Sequence, residues 1–103
     1  MTAEAIFAEL PNNYQTGLIK EPVSIYFSID EIKRTVWLNP TECRVDTGRT
    51  TDNADCVCKT GADFFLKVWN EGYKPGLKDF ISGNIKANKP DILQLFLKAF
   101  GKG

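Results

Sequence analysis

The cysteines are the first side chains of this sequence whose type and spacing could support chemistry. There are three, Cys43, Cys56 and Cys58, an odd number without the Cys-x-x-Cys spacing of a zinc or redox motif. Cys56 and Cys58 stand two positions apart, so they share one face of a strand. We expect the cysteines to be reduced and to act as small buried hydrophobes, with a reactive thiol as the alternative.

The acidic residues are placed for contact with solvent rather than for acid-base catalysis. Asp30 and Glu31 fall in a predicted turn, where paired carboxylates are solvated. The spacing of Asp46, Asp52 and Asp55 lacks the glycine and the final glutamate of a calcium loop. We therefore predict no catalytic site, no metal site and no cofactor.

Composition excludes further classes of function. The 103 residues include no histidine, which excludes a Ser-His-Asp or Cys-His catalytic pair and every zinc site that uses histidine. Thirteen basic residues balance thirteen acidic ones, so the net charge is zero and we expect no nucleic-acid partner. This length suits one domain, which we predict to span residues 1–103.

The sequence carries no pattern typical of a secreted or membrane protein. Its first residues lack the basic and apolar regions of a signal peptide. No apolar run approaches the roughly 18 residues of a membrane span. We therefore expect a cytoplasmic protein.

Hydrophobic periodicity predicts the order helix, four strands, helix, helical turn, strand, helix. The predicted strands are 23–30, 34–38, 42–46, 54–60 and an edge strand at 83–88. The predicted helical segments are 2–10, which Pro11 is expected to end, 62–71, 77–81 and 90–100. This order is an α+β pattern, for which we expect a five-stranded, mostly antiparallel sheet with the helices packed on one face.

The C-terminal half carries a large load of apolar side chains. The last helix is apolar over most of its circumference, since only Gln94 and Lys98 interrupt it. The two helical segments before it are expected to turn the following residues toward the core: Phe64, Phe65, Val68, Trp69, Phe80 and Ile81. The second of these segments also carries Leu77. Two interpretations stay open at this point: an ordinary filled core, and helices that stand off the sheet to enclose an apolar ligand.

Several motifs follow one another in this half of the chain. They are the strand 54–60 (ADCVCKT), a helix with Asp63-Phe64 near its start, the run 79–86 (DFISGNIK) and the apolar helix 91–100. In this order they resemble the sterol carrier protein type 2 family, with a looser fit upstream. The resemblance implies a five-stranded sheet covered by helices, enclosing an apolar tunnel for sterols, fatty acids, fatty acyl groups or phospholipids. It implies no catalysis and no metal.

The resemblance also indicates which residues would surround the tunnel. Asn84, Ala87 and Lys89-Pro90 depart from the family pattern, which bears on ligand size and tunnel shape. The residues expected to line or gate the tunnel are Phe65, Trp69, Phe80, Ile81, Ile85, Leu93, Phe96, Leu97 and Phe100. Phe27 and Val57 are expected to form its floor on the side of the sheet.

The sequence leaves three hypotheses about function. The first is non-enzymatic binding and transfer of an apolar lipid, with transient contact with membranes. The second is an interaction or accessory subunit with the same fold and a filled core, acting through protein-protein contacts or as a homodimer. The third is an enzyme that uses Cys56, Cys58 or a lysine as its nucleophile.

Overall fold

Four helices and a five-stranded sheet form within residues 2–102, the part of the chain that the computed structural model describes. The helices are α1 (Ala3–Asn13), α2 (Ala62–Glu71), α3 (Leu77–Ser82) and α4 (Pro90–Ala99). The strands are β1 (Val23–Ile29), β2 (Ile32–Leu38), β3 (Cys43–Thr47), β4 (Cys56–Thr60) and β5 (Ile85–Ala87). The predicted α+β class and the predicted order of elements are confirmed. No helix within residues 2–102 has the length and apolar character needed to cross a bilayer.

α1 continues past Pro11, where the sequence predicted its end. The hydroxyl of Thr2 accepts the backbone N–H of Ala5 at 3.2 Å and caps the first turn. The buried face of the helix carries Phe7 and Leu10 into the core. Pro11 lies in the last turn, where its fixed φ suits a helix and its missing N–H removes only one hydrogen bond, so the helix tolerates it.

A tight turn joins β1 to β2. Asp30 adopts the left-handed conformation, with φ of 52°, and Ile29 pairs directly with Ile32. The turn is therefore shorter than the one that the sequence predicts over residues 30–33, because a left-handed residue lets the two strands pair up to the turn itself. The Asp30 carboxylate also accepts the backbone N–H of Ala62 at 2.8 Å, which ties this turn to the start of α2.

The strands are arranged in the order β3-β2-β1-β4-β5. Neighbouring strands are antiparallel except β1 and β4, which run parallel. The sheet is therefore mixed but mostly antiparallel, in agreement with the prediction. Because β3 is an edge strand and β4 lies beyond β1, the connection between β3 and β4 has to cross β2 and β1.

That connection covers the outer face of the sheet. The hydroxyl of Thr35 donates to the carbonyl of Gly48 at 2.8 Å and accepts the N–H of Thr50 at 3.1 Å. The guanidinium of Arg49 lies 5.0 Å from the centre of the Tyr26 ring. These contacts bury Thr35 completely while they satisfy its hydroxyl. The opposite face is left for the helices.

α1, α2 and α4 pack on this second face, which we call the inner face. β1 turns Phe27 toward the helices, and the parallel register sets Cys58 beside Phe27 and Val57 beside Tyr26. Because side chains alternate along a strand, Cys58 points to the inner face and Val57 to the outer one. The prediction that Val57 forms the floor of a cavity is therefore wrong, and Cys58 holds that place.

Candidate functional site

A small void lies between the inner face of the sheet and helices α2 and α4. Its volume is about 20 Å³, which is room for about one water molecule. Pockets for drug-sized ligands measure roughly 300–1,000 Å³. The residues that line the void are Phe27, Cys58, Thr60, Phe64, Phe65, Val68, Pro75, Ile85, Leu93, Phe96 and Leu97. An open tunnel, as the resemblance implied, is not seen among residues 2–102.

Aromatic rings fill most of the space between sheet and helices. The ring of Phe27 lies 4.9 Å from that of Phe96 and 5.3 Å from that of Phe7. Phe65 stacks on Phe7 at 5.4 Å, and Trp69 lies 5.9 Å from Phe96. These separations fall in the roughly 4.5–7 Å range of attractive ring contacts. We call the connected rings the aromatic cluster: Phe7, Phe27, Phe65, Trp69, Phe96 and Phe100.

The lining of the void offers a ligand almost no polar contact. None of the described residues that line it is charged. The hydroxyl of Thr60 donates to the carbonyl of Asn84 at 2.6 Å, so it is already satisfied. A molecule held here would be held by burial of hydrocarbon surface.

The cysteines are free and buried, as the sequence predicts. Burial raises the pKa of the Cys43 and Cys58 thiols to about 12. Burial also raises the pKa of Cys56, whose thiol contacts the carbonyl of Lys89 at 3.4 Å. Such thiols stay protonated at neutral pH and are poor nucleophiles. Their environment therefore weighs against the hypothesis of a catalytic cysteine.

Metal binding has equally little support in the described part of the chain. Within residues 2–102, histidine, cysteine, aspartate and glutamate side chains nowhere gather in a group of three that could hold an ion. Asp55, one of the aspartates weighed for a calcium loop, instead accepts the backbone N–H of Ser24 at 2.8 Å. That carboxylate fastens the end of the connection between β3 and β4 to β1.

The structure brings together six of the residues predicted at the cavity. They are Phe27, Phe65, Ile85, Leu93, Phe96 and Leu97, and they line the void. Trp69 and Phe100 belong to the aromatic cluster but line a separate pocket at the surface, beside Asn13 and Lys102. Phe80 belongs to α3 and lines a separate pocket next to the void.

Ile81 lies away from the site. Its side chain is 77% exposed, although the sequence predicted that it lines or gates the tunnel. Leu77 is equally exposed. α3 has six residues, and of these only Asp79 is buried and only Phe80 is half-buried. Leu77 and Ile81 stand four positions apart and share the solvent-facing row.

Other lining residues were absent from the predicted set: Cys58, Thr60, Phe64, Val68 and Pro75. Val68 had a usable signal, because it lies on the same predicted helical stripe as Phe65. Cys58 and Thr60 could be found only with the parallel register of β1 and β4, which alternation within one strand does not reveal.

A second pocket adjoins the void beneath α3. Its volume is about 40 Å³, and it shares Pro75, Leu93 and Leu97 with the void. α3 is held over this pocket by Asp79, which is only 3% exposed. The Asp79 carboxylate accepts the hydroxyl of Tyr73 at 2.7 Å and the backbone N–H of Gly76 at 2.8 Å. One buried carboxylate thus fixes the start of α3 beside this pocket.

We expect the stabilisation that Asp79 provides to be lost in acid. The hydrogen bond from Tyr73, followed by that from the Gly76 N–H, lowers the pKa of Asp79 below its ordinary value of 3.8. The contribution is therefore complete above the unfolded-state pKa and disappears as the pH falls through the lowered one. Asp79→Asn should lower the melting temperature at neutral pH, and thermal unfolding followed across the acid range should show the gap between variant and parent closing.

Asp52→Asn, in an exposed loop, is the matched control and should leave the melting temperature almost unchanged at every pH. A gap between Asp79→Asn and the parent that stayed constant from neutral to acid pH would contradict the assignment. The loss would then come from altered packing rather than from the charge.

Comparisons with known proteins address the fold. The sequence matches no family model and no curated protein. The ubiquinone synthesis protein UbiJ-SCP2 superposes with a TM-score of 0.66 over 93% of this chain and 90% of its own, at 15% identity. Sterol carrier protein 2 from Yarrowia lipolytica, in its apo form, gives 0.50 over 78% of this chain and 69% of its own, at 16% identity. The chain has the sterol carrier protein type 2 fold.

The sterol carrier protein type 2 fold also occurs inside a larger enzyme. The sec-alkylsulfatase Pisa1 from Pseudomonas sp. superposes with a TM-score of 0.74 over 93% of this chain, at 15% identity. This chain spans only 16% of that sulfatase. At such low identity the sterol carrier protein type 2 likeness concerns the fold alone, so function has to be argued from the site.

Proposed function

We propose that the protein binds the apolar chain of a lipid between the sheet and helices α2 and α4 and carries it without chemical change. The observation that supports this best is the character of the void, whose lining is uncharged and whose Thr60 hydroxyl is already bonded. The fold adds support, because a protein of the same fold is a sterol carrier protein. The Cys58 thiol, protonated at neutral pH, fits a role without catalysis.

The ligand would reach the void from the side of α3. The pocket beneath α3 is separated from the void only by side chains that belong to both, Pro75, Leu93 and Leu97. Displacing α3 would open the pocket to solvent by moving Phe80, and a shift of those three side chains would then join it to the void. α3 is also the shortest of the described helices, since it has six residues where α2 and α4 each have ten.

The small volume of the void sets a demand on the ligand. Binding has to separate rings of the aromatic cluster, and the hydrocarbon of the ligand has to offset that cost. Each buried methylene gains about 0.8 kcal/mol, while micromolar affinity corresponds to about 8 kcal/mol. A ligand needs roughly ten buried methylenes to reach that figure before any cost is subtracted. We therefore expect long-chain acyl groups to bind and short-chain acids to fail.

Titration with a fluorescent long-chain fatty acid tests the proposal. We expect saturable binding of the long-chain acid and none of a short-chain analogue. Native mass spectrometry of the purified protein should show lipid bound at one molecule per chain. The absence of both binding in titration and co-purified lipid would refute the proposal.

Filling the void should separate ligand binding from stability. Val68 is 4% exposed and lines the void, so Val68→Ile adds one methylene where space exists. We expect the free energy of unfolding to rise by about 0.5–1 kcal/mol and the affinity for fatty acid to fall. Denaturant titration and fatty-acid titration of the same samples measure both effects.

Val36→Ile is the control for that variant. Val36 is also fully buried on the sheet but does not line the void. The same added methylene should therefore destabilise the protein by about 1–3 kcal/mol through overpacking. If the two variants changed stability alike, the void would not be the available space that the proposal requires.

A second candidate function is an accessory subunit with a filled core, acting through contacts with another protein. The observation that favours it is the volume of the void, about 20 Å³, which leaves no room for a lipid in this conformation. A protein that bound no lipid but formed a concentration-dependent dimer in light scattering after size-exclusion chromatography would favour this candidate. A monomer that bound fatty acid would reject it.

A further inference from the structure

The solvent-facing row of α3 is apolar. Leu77 and Ile81 are each 77% exposed, more than Leu18 at 47% or Leu95 at 42%. They stand four positions apart on a helix, so their side chains lie next to each other. Two adjacent aliphatic side chains therefore project into solvent on the helix whose Phe80 lines the pocket beside the void.

The exposed charges in the stretch of chain that contains this row are of one sign. The stretch from 72 to 90 carries four exposed lysines, Lys74, Lys78, Lys86 and Lys89. Its acidic residue, Asp79, is buried and turned toward Tyr73 and Gly76. Glu71 and Asp91 bound the stretch on either side. Although the whole chain has a net charge of zero, the exposed charges within this stretch are all positive.

We propose that α3 docks on an anionic lipid bilayer, with Leu77 and Ile81 inserted among the acyl chains and the lysines against the lipid phosphates. Apolar side chains flanked by lysines are typical of segments that lie in the membrane interface. The positive charge favours an anionic bilayer as the partner, since a neutral protein surface would gain nothing from the lysines. The inference deepens the proposed function and rests on it for its purpose, because α3 covers the pocket through which an acyl chain would pass.

Flotation of the full chain with phosphatidylcholine vesicles, with and without phosphatidylserine, tests the docking. We expect binding to the phosphatidylserine vesicles that weakens as salt is raised, because the attraction of the lysines is screened. The double variant Leu77→Ser with Ile81→Ser should bind these vesicles at least about tenfold more weakly than the parent. Lys74→Gln with Lys78→Gln should weaken binding at low salt and flatten its dependence on salt.

Matched variants elsewhere on the surface serve as controls. Leu18→Ser with Leu95→Ser removes two exposed aliphatic side chains away from α3, and Lys20→Gln with Lys98→Gln removes two exposed lysines outside the stretch from 72 to 90. Circular dichroism should show all the variants folded. Equal loss of vesicle binding in the α3 variants and in their controls, or no binding to vesicles with phosphatidylserine, would overturn the docking proposal.

The two proposals fail in different ways. Leu77 and Ile81 do not line the void, so their replacement should leave the affinity for a fatty acid in free solution unchanged. Vesicle binding without fatty-acid binding would keep the docking surface and reject the carrier. Fatty-acid binding without vesicle binding would do the reverse. If the protein did not bind vesicles but bound an acidic protein through α3, the surface would belong to a protein partner and the membrane proposal would be overturned.

Discussion

Replacing Phe96 with alanine is expected to lower the free energy of unfolding by about 3–5 kcal/mol. Phe96 is 1% exposed and holds the aromatic cluster together, with ring centres 4.9 Å from Phe27, 5.0 Å from Phe100 and 5.9 Å from Trp69. Alanine would leave a cavity that joins the existing void, because Phe96 already lines that void. Denaturant-induced unfolding followed by tryptophan fluorescence measures the loss.

Leu95→Ala is the control for Phe96→Ala, one position away on the same helix. Leu95 is 42% exposed, so its truncation should cost about 1 kcal/mol or less. A small apolar molecule such as benzene should raise the melting temperature of Phe96→Ala and leave that of Leu95→Ala unchanged, because only the first gains a dry cavity. Equal destabilisation in the two variants would show that Phe96 does not hold the cluster together.

Cys58→Asp is expected to unfold the protein at neutral pH. Cys58 is 1% exposed and faces Phe27 on the inner face, and burial already raises the pKa of its thiol to about 12. A carboxylate buried there would have its pKa raised by 3–5 units, a penalty of roughly 4–7 kcal/mol on the charged form. That penalty is comparable with the 5–15 kcal/mol stability of a typical domain. Far-ultraviolet circular dichroism as a function of pH measures the effect.

The sign of the pH dependence distinguishes charge from shape in this variant. A raised folded-state pKa means that the penalty is absent below the unfolded-state value, is already large at neutral pH, and is complete only above the folded-state pKa. Cys58→Asp should therefore regain structure in mild acid, whereas Cys58→Ala should be folded throughout. Lys59→Asp, the exposed neighbour on the same strand, should fold at all pH values. A Cys58→Asp protein as stable as Lys59→Asp at neutral pH would contradict the buried inner face.

Local patterns in the sequence predicted the elements well, because each depends on residues close together in the chain. The shared face of Cys56 and Cys58 is confirmed by their burial, whereas β1 is buried on both faces because the connection between β3 and β4 covers its outer side. The predictions failed where the direction of a side chain depends on segments far apart in the sequence. Which residue of β4 faces the site depends on the parallel pairing of β1 with β4. The sequence does not reveal that pairing, and it therefore predicts Val57 where the structure has Cys58. Ile81 was misplaced because a helical turn of six residues has too few positions for periodicity to tell its inner row from its outer one.

The sequence predicts which residues surround the candidate site but not how much empty space they leave. Phe27, Phe65 and Phe96 were assigned to the space between sheet and helices, and they meet there. Hydrophobic periodicity reports which side chains point inward but not how closely they pack. The same pattern suits a filled core and an open tunnel. The difference lies in rotamers and helix positions set by the whole fold, and here the rings close the space to about 20 Å³.

The parallel pairing of β1 with β4 also has a consequence for the order of folding. Ile25 meets Cys56 only after roughly 30 intervening residues have been folded back, whereas β1, β2 and β3 pair through short connections. The chain entropy lost in closing that long loop is recovered only when the inner face is covered. We therefore expect the three-stranded meander to form first, and the strand that carries Cys58 to join it together with the helices that enclose the void.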